Sequence, residues 1–188
     1  MRFEKFDSTK HNITQIADLV YDVDFRTFDS VYKNKNNAIR DISRMLEKHE
    51  LDHFYVVLED GKVMGIVKFH IHNKPSFIHS LLGFTSFKLL LIDILDYFVL
   101  SEVNDNDLHI AMLAISDKYR GKGVGSKVLN KVIKHGKKGD FKRITLDADF
   151  RNDGAKKLYE KMGFRKFDKK SLKIGKFERG MYNMEYIL

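Results

Sequence analysis

The stretch that most constrains this chain runs from Leu108 to Ile133, where an apolar run passes through a glycine-rich turn into an amphipathic helix. Leu108 to Ile115 is apolar except for His109 and reads as a strand. In the helix that follows, Val124, Val128, Leu129, Val132 and Ile133 share one face. Between the two lies Arg120-Gly121-Lys122-Gly123-Val124-Gly125. A helix starting near Gly123 leaves its first N–H groups without intrahelical partners, and the aligned peptide dipoles put partial positive charge there. Phosphates bind at such an end. Glycines at 121, 123 and 125 remove the Cβ atoms that would hold a pyrophosphate away, while Arg120, Lys122 and Lys127 add positive charge. The plainer possibility is a basic strand-to-helix turn with no ligand.

Two well-known phosphate loops fail against this spacing. The dinucleotide fingerprint needs a glycine where Ser126 stands, and the P-loop needs Ser or Thr after Gly121-Lys122, where Gly123 stands. What remains is Arg-x-x-Gly-x-Gly. Downstream, Asn152-Asp153-Gly154-Ala155-Lys156-Lys157-Leu158-Tyr159-Glu160-Lys161-Met162-Gly163-Phe164 reads as a capped helix. Asn152 or Asp153 caps it, Ala155, Leu158, Tyr159 and Met162 share a face, and Gly163 ends it.

The first segment resembles the coenzyme A pyrophosphate loop of the GNAT N-acetyltransferases. The second resembles that family's Asn-x-x-Ala-x-x-Leu-Tyr-Glu-x-x-Gly-Phe segment, and the two stand in the family's order over roughly Leu108 to Phe167. The resemblance implies the GNAT fold: a mixed, mostly antiparallel α/β (α+β) sheet of about seven strands flanked by helices, whose fourth and fifth strands splay around the pantetheine arm. It implies acetyl-CoA as acetyl donor and a primary amine as acceptor. The backbone N–H groups of Leu113, Ala114 and Ile115 would bond the pantetheine. Those of Gly121, Lys122, Gly123, Val124, Gly125 and Ser126, together with Arg120, would hold the pyrophosphate, and Asn152 would contact the cofactor. Tyr159 matches the family's tyrosine that protonates the departing thiolate, against the possibility of a core aromatic. Asp147 ends the fifth strand where some N-terminal acetyltransferases of this family carry a carboxylate base. Asp149, His109 and Glu102 are further candidates for the base, and many members deprotonate the amine through water alone. No metal is implied.

Elsewhere the sequence bounds the answer. With 188 residues, 43% of them hydrophobic, the chain suits one domain over 1–188 with a real core. It has no cysteine, which excludes disulfides, thiolate metal sites and a cysteine nucleophile. The N-terminal residues alternate and carry charge, unlike a signal peptide, so a cytoplasmic location is the default expectation. A net charge of +8 admits nucleic acid as a partner, but aromatics are not interleaved with the basic clusters as a stacking platform requires, which argues against it.

Periodicity places a strand at Arg2 to Asp7, helices at about Asn12 to Tyr21 and Asn37 to Glu47, and strands at Phe54 to Glu59 and Lys62 to Ile71 joined by Asp60-Gly61. Strands are also expected at Arg143 to Leu146, Phe164 to Phe167 and Tyr182 to Leu188, with a basic loop before the last. Residues 75–106 form an insert between the third and fourth strands. Its apolar centre, Phe77 to Leu100, is interrupted by Lys88, Asp93 and Asp96, which argues against a membrane span. A helix is expected there, packing on the sheet or also lining a substrate groove or homodimer contact. His70 and His72 share a strand face with Lys68, a face read as solvated and polar, without a third metal ligand. Asp22, Asp24 and Asp29 fall near the loop between the first helices, either attracting a cationic amine or serving as turn residues. The leading expectation is therefore an acetyl-CoA-dependent N-acetyltransferase acting by direct attack in a ternary complex. The competing expectation is a non-catalytic acyl-CoA-binding module.

Overall fold

A computed structural model describes residues 1–49, 51–71, 88, 99–175 and 177–188. The apolar insert helix expected at 77–100 lies outside the described residues apart from Lys88, Val99 and Leu100. Seven strands form one sheet in the order β1-β2-β3-β4-β5-β7-β6. They are β1 (Arg2–Lys5), β2 (Phe54–Glu59), β3 (Lys62–His70), β4 (Asp107–Ile115), β5 (Arg143–Asp149), β6 (Arg165–Ile174) and β7 (Phe177–Ile187). Strands β1 with β2, β2 with β3, β5 with β7 and β6 with β7 pair antiparallel. Strands β4 and β5 pair in parallel, from Asp107↔Arg143 to Ile110↔Leu146. The described helices are α1 (Ile13–Val23), α2 (Phe25–Val31), α3 (Lys35–Lys48), α4 (Val124–Gly136) and α5 (Asp153–Lys161), with a 3-10 turn at Asp117–Tyr119.

The chain gathers into two compact units. Among the described residues the first comprises Met1–Lys68, Lys88 and Met112–Arg120. Its helices start where polar side chains replace missing backbone partners: Asn12 Oδ1 accepts from Gln15 N at 2.9 Å, and Asn34 Oδ1 from Asn36 N at 2.7 Å. Ile16 and Val20 of α1 and Ile42 and Leu46 of α3 then meet Phe54, Val56 and Ile66 of β2 and β3 in a single apolar cluster. The Asp60-Gly61 turn has both residues at positive φ, 50° and 72°, the mirror-image geometry that suits a two-residue hairpin. The helix α2 is not expected from the sequence. Asp24 ends α1 and begins α2, its side chain accepting from Thr27 N.

The second unit comprises 69–71, 99–111 and Gly121–Leu188. Here α4 buries Val124, Val128, Leu129, Val132 and Ile133, the face its periodicity predicts. A Cβ on Gly136 would stand 3.1 Å from the Ile144 side chain of β5 and 3.0 Å from Leu188, so the helix end lies close on the strand. On α5, Tyr159 packs toward Phe164, which meets Tyr186 of β7. The expected basic loop after Phe167 is instead a hairpin, in which β6 pairs with β7 from Arg165↔Glu185 to Ile174↔Phe177. Its lysines stand on a sheet edge, where such charge discourages pairing with another chain.

Candidate functional site

The glycine-rich turn takes the form its sequence predicts, with one shift: α4 begins at Val124 and Gly123 is its N-cap. Gly121 and Gly123 sit at φ 72° and 76°, a left-handed conformation that favours glycine. A Cβ on either would meet nothing within 4 Å, so backbone conformation and not crowding selects glycine there. No side chain caps the helix, and Lys122 and Lys127 flank its start. Cations at that end oppose the helix dipole, an arrangement that an anion would relieve. Arg120 is differently engaged. Its Nε donates to the Ile115 carbonyl at 2.8 Å, and its Nη groups face Asp22 and Asp117. In β4, Ala114 is buried while Leu113 and Ile115 are half-buried. The register of β4 with β5 extends to Ile110↔Leu146.

Downstream, Asn152 Oδ1 accepts from Ala155 N at 3.1 Å, so the N-cap reading of Asn152 holds. Tyr159 is the buried residue of α5, 8% exposed. Burial first and the Asp147 charge second push its phenol up to about 12. It therefore holds its proton across the working range of pH.

The carboxylate of Asp147 is the centre of a buried polar cluster within the second unit. Asn183 Nδ2 donates to its Oδ1 at 2.5 Å, Ser101 N donates to both oxygens at 3.2–3.3 Å, and Ser101 Oγ lies 3.2 Å from Oδ2. His109 Nε2 lies 3.6 Å from Oδ2, and its Nδ1 is 2.9 Å from Thr145 Oγ1. Burial lowers the His109 pKa from its ordinary value, with Asp147 and Asp107 opposing that shift. A neutral imidazole follows, with both ring nitrogens directed at protein groups. Sequence reasoning misses Ser101 and Asn183. The signal for Asn183 is a lone amide among inward-facing residues of the last strand, directly opposite Asp147 in the register.

The remaining acidic residues singled out by the sequence are engaged or exposed. Asp149 accepts from Arg151 N at 2.7 Å and pairs with the Arg151 guanidinium, and Glu102 is exposed. Asp24 caps α2, Asp29 accepts from the Tyr21 hydroxyl, and Asp22 pairs with Arg120 and Lys35. Lys68 corrects the solvated-face reading: it is 4% exposed, and burial lowers its pKa to about 7. His72 lies outside the described residues. Among the described residues no group of three or more metal-ligating side chains converges.

A family model described as "Acetyltransferase (GNAT) family" matches residues 17–164. The chain is similar to N-alpha-acetyltransferase 30 of Xenopus laevis, 43% identical over 56 residues, which cover 30% of this chain and 20% of that protein. The match thus spans a fifth of that relative's length. An N-acetyltransferase from Staphylococcus aureus Mu50 superimposes over 99% of this chain and 100% of its own, with TM-score 0.71 and 20% identity. A Bacillus subtilis acetyltransferase solved in complex with CoA superimposes over 100% and 98%, with TM-score 0.57 and 15% identity. At these identities the structures speak for the fold, while the family model covers most of the sequence. The chain belongs to the acetyltransferase (GNAT) family.

Proposed function

We propose that this protein is an acetyl-CoA-dependent N-acetyltransferase that transfers the acetyl group to a primary amine by direct attack in a ternary complex. The observation that carries the reading is the pairing of an uncapped helix start at Gly123 with a buried carboxylate and a buried phenol in the same unit. Acetyl-CoA supplies the activated thioester. The N–H groups of Gly121 to Ser126 are assigned to its pyrophosphate, and the backbone of Leu113, Ala114 and Ile115 to its pantetheine.

Asp147 takes the proton that the attacking amine must lose, and Tyr159 gives one to the leaving sulfur. Amide and hydroxyl donors hold the Asp147 carboxylate in one orientation, from which it receives the proton of the amine. The high pKa of Tyr159 keeps its donor loaded, and burial that disfavours phenolate disfavours thiolate as well, which favours protonation of the sulfur. Asn152 is assigned a cofactor contact beside its capping role. The protein is read as cytoplasmic and as able to form a homodimer. The test is thiol release from acetyl-CoA across a panel of peptides, polyamines and small amines. Release above background with one acceptor class supports the reading. Heat of acetyl-CoA binding with no release across the panel favours a non-catalytic acyl-CoA-binding module.

A further inference from the structure

The guanidinium of Arg120 is half exposed and meets three protein acceptors. Its Nε donates to the Ile115 carbonyl at 2.8 Å, Nη2 to Asp22 Oδ2 at 3.1 Å, and Nη1 lies 2.5 Å from Asp117 Oδ1. Ile115 and Asp117 are local, but Asp22 comes from α1, 98 positions earlier. The other Asp22 oxygen faces Lys35 of α3 at 3.8 Å, and Lys35 is fixed by Asp18 at 2.6 Å and by the face of the Tyr21 ring. Asp22 is only 19% exposed, and burial and Asp18 disfavour its charge while Lys35 and Arg120 favour it. All these groups lie in the first unit, and the glycine turn starts at the next residue of the chain.

The arrangement bears on what Arg120 does. An arginine shared between two carboxylates and a carbonyl has its planar fork held in one orientation, with its donors directed at protein groups. Gly121, by contrast, lacks any side chain to fix its left-handed backbone. We propose that Arg120 braces the start of the turn and is not itself a pyrophosphate ligand, and that Asp22 is the positioning residue that sets the brace. This rests on the reading that the turn receives the diphosphate of acetyl-CoA.

The two roles for Arg120 predict effects of opposite sign in one variant. If Arg120 were a phosphate ligand held in reserve, Asp22 would compete with the cofactor, and Asp22→Asn would free the guanidinium and tighten binding. If Arg120 is a brace, the same substitution loosens the turn. We expect Asp22→Asn to weaken acetyl-CoA binding about threefold to fivefold, the upper range for a solvent-exposed ion pair. The KM for acetyl-CoA should rise in step, with kcat at saturating cofactor kept within about twofold, as for lost uniform binding.

Asp22→Glu, which keeps the charge, should recover part of the loss. Lys35→Met removes the contacts to Asp18 and Asp22 and leaves the Arg120 pair in place, so it should leave affinity unchanged. Isothermal titration of the full chain with acetyl-CoA reads all three. Tighter or unaltered binding by Asp22→Asn, or a Lys35→Met loss equal to that of Asp22→Asn, overturns the brace. A wild-type chain that takes up no acetyl-CoA overturns the functional reading beneath it, and does so before any substitution is made.

Discussion

Asp147 and Asn183 stand directly opposite each other on β5 and β7, and the Asn183 amide donates to Asp147 Oδ1 at 2.5 Å. Ser101 supplies the other donors, and the facing histidine is neutral because burial opposes its charge. Among the described residues the carboxylate is thus held by groups that orient it without cancelling its charge. Neutral donors fix the geometry, as the proposed role of Asp147 as a base requires.

Asp147→Asn tests that role. The amide keeps an acceptor for Asn183 but cannot take a proton, so kcat/KM should fall by about a hundredfold or more, the usual worth of a positioned base. Ser101 N loses an ionised acceptor, which should cost about 1–3 kcal/mol in urea unfolding. Acetyl-CoA affinity should stay near wild type. A variant that turns over at the wild-type rate removes Asp147 from the chemistry and points to water as the base.

Tyr159→Phe separates packing from proton donation. The ring contact with Phe164, at 6.0 Å between centroids, survives the loss of one oxygen. Folding and cofactor affinity should therefore hold while kcat drops by about tenfold to a hundredfold, within the range of general acid catalysis. Because the wild-type phenol titrates at about 12, its pH–rate profile should show no fall attributable to this group below about pH 10. A full wild-type rate in the Phe variant would leave Tyr159 as a core aromatic.

Legibility in the sequence divides along physical lines. The helix α4 and its turn are readable because a 3.6-residue apolar period and a glycine string are local signals, as is the Asp60-Gly61 hairpin. The short α2 is not, because its seven residues give too few turns for a period, and Asp24 passes as a loop acid until its bond to Thr27 N is seen. The β6–β7 hairpin reads too short because lysines fill the solvent-facing positions of an edge strand and hide its alternation. In the site, motif spacing points to Asp147 and Tyr159. The Ser101 and Asn183 contacts, 46 and 36 positions from Asp147, depend on register that no local pattern encodes.

Lys68 predicts a pH dependence of stability. Its folded pKa is about 7 against an ordinary 10.5, so between those values the unfolded chain binds the extra proton. Stability attributable to this group is therefore complete above 10.5 and is lost as pH falls toward 7, at about 1.4 kcal/mol per pH unit for a fully coupled site. His109 acts with the same sign lower down, because burial opposes its protonation below its ordinary 6.5. Urea unfolding should show higher stability at about pH 9.5 than at about pH 7, and Lys68→Met should flatten that rise and stabilise the protein at the lower pH. A pH-independent wild type, or a Met variant with the same slope, would contradict the assignment.

Two glycines should respond to alanine in different ways, because one is required by space and the other by conformation. A Cβ on Gly65 would fall 2.2 Å from the Ala114 carbonyl oxygen, a backbone atom of the neighbouring strand that cannot move without parting β3 from β4. Gly65→Ala should therefore lower the unfolding temperature by about ten degrees or fail to fold, the cost of severe overpacking. Gly121→Ala meets no atom within 4 Å and is penalised only by its φ of 72°, about 1–2 kcal/mol. It should fold, melt a few degrees lower, and bind acetyl-CoA more weakly because the relaxed backbone no longer aims its N–H groups. Thermal unfolding with and without acetyl-CoA reads both effects. If Gly121→Ala kept the full ligand-induced shift in melting temperature, the conformation of that residue would have no part in holding the diphosphate.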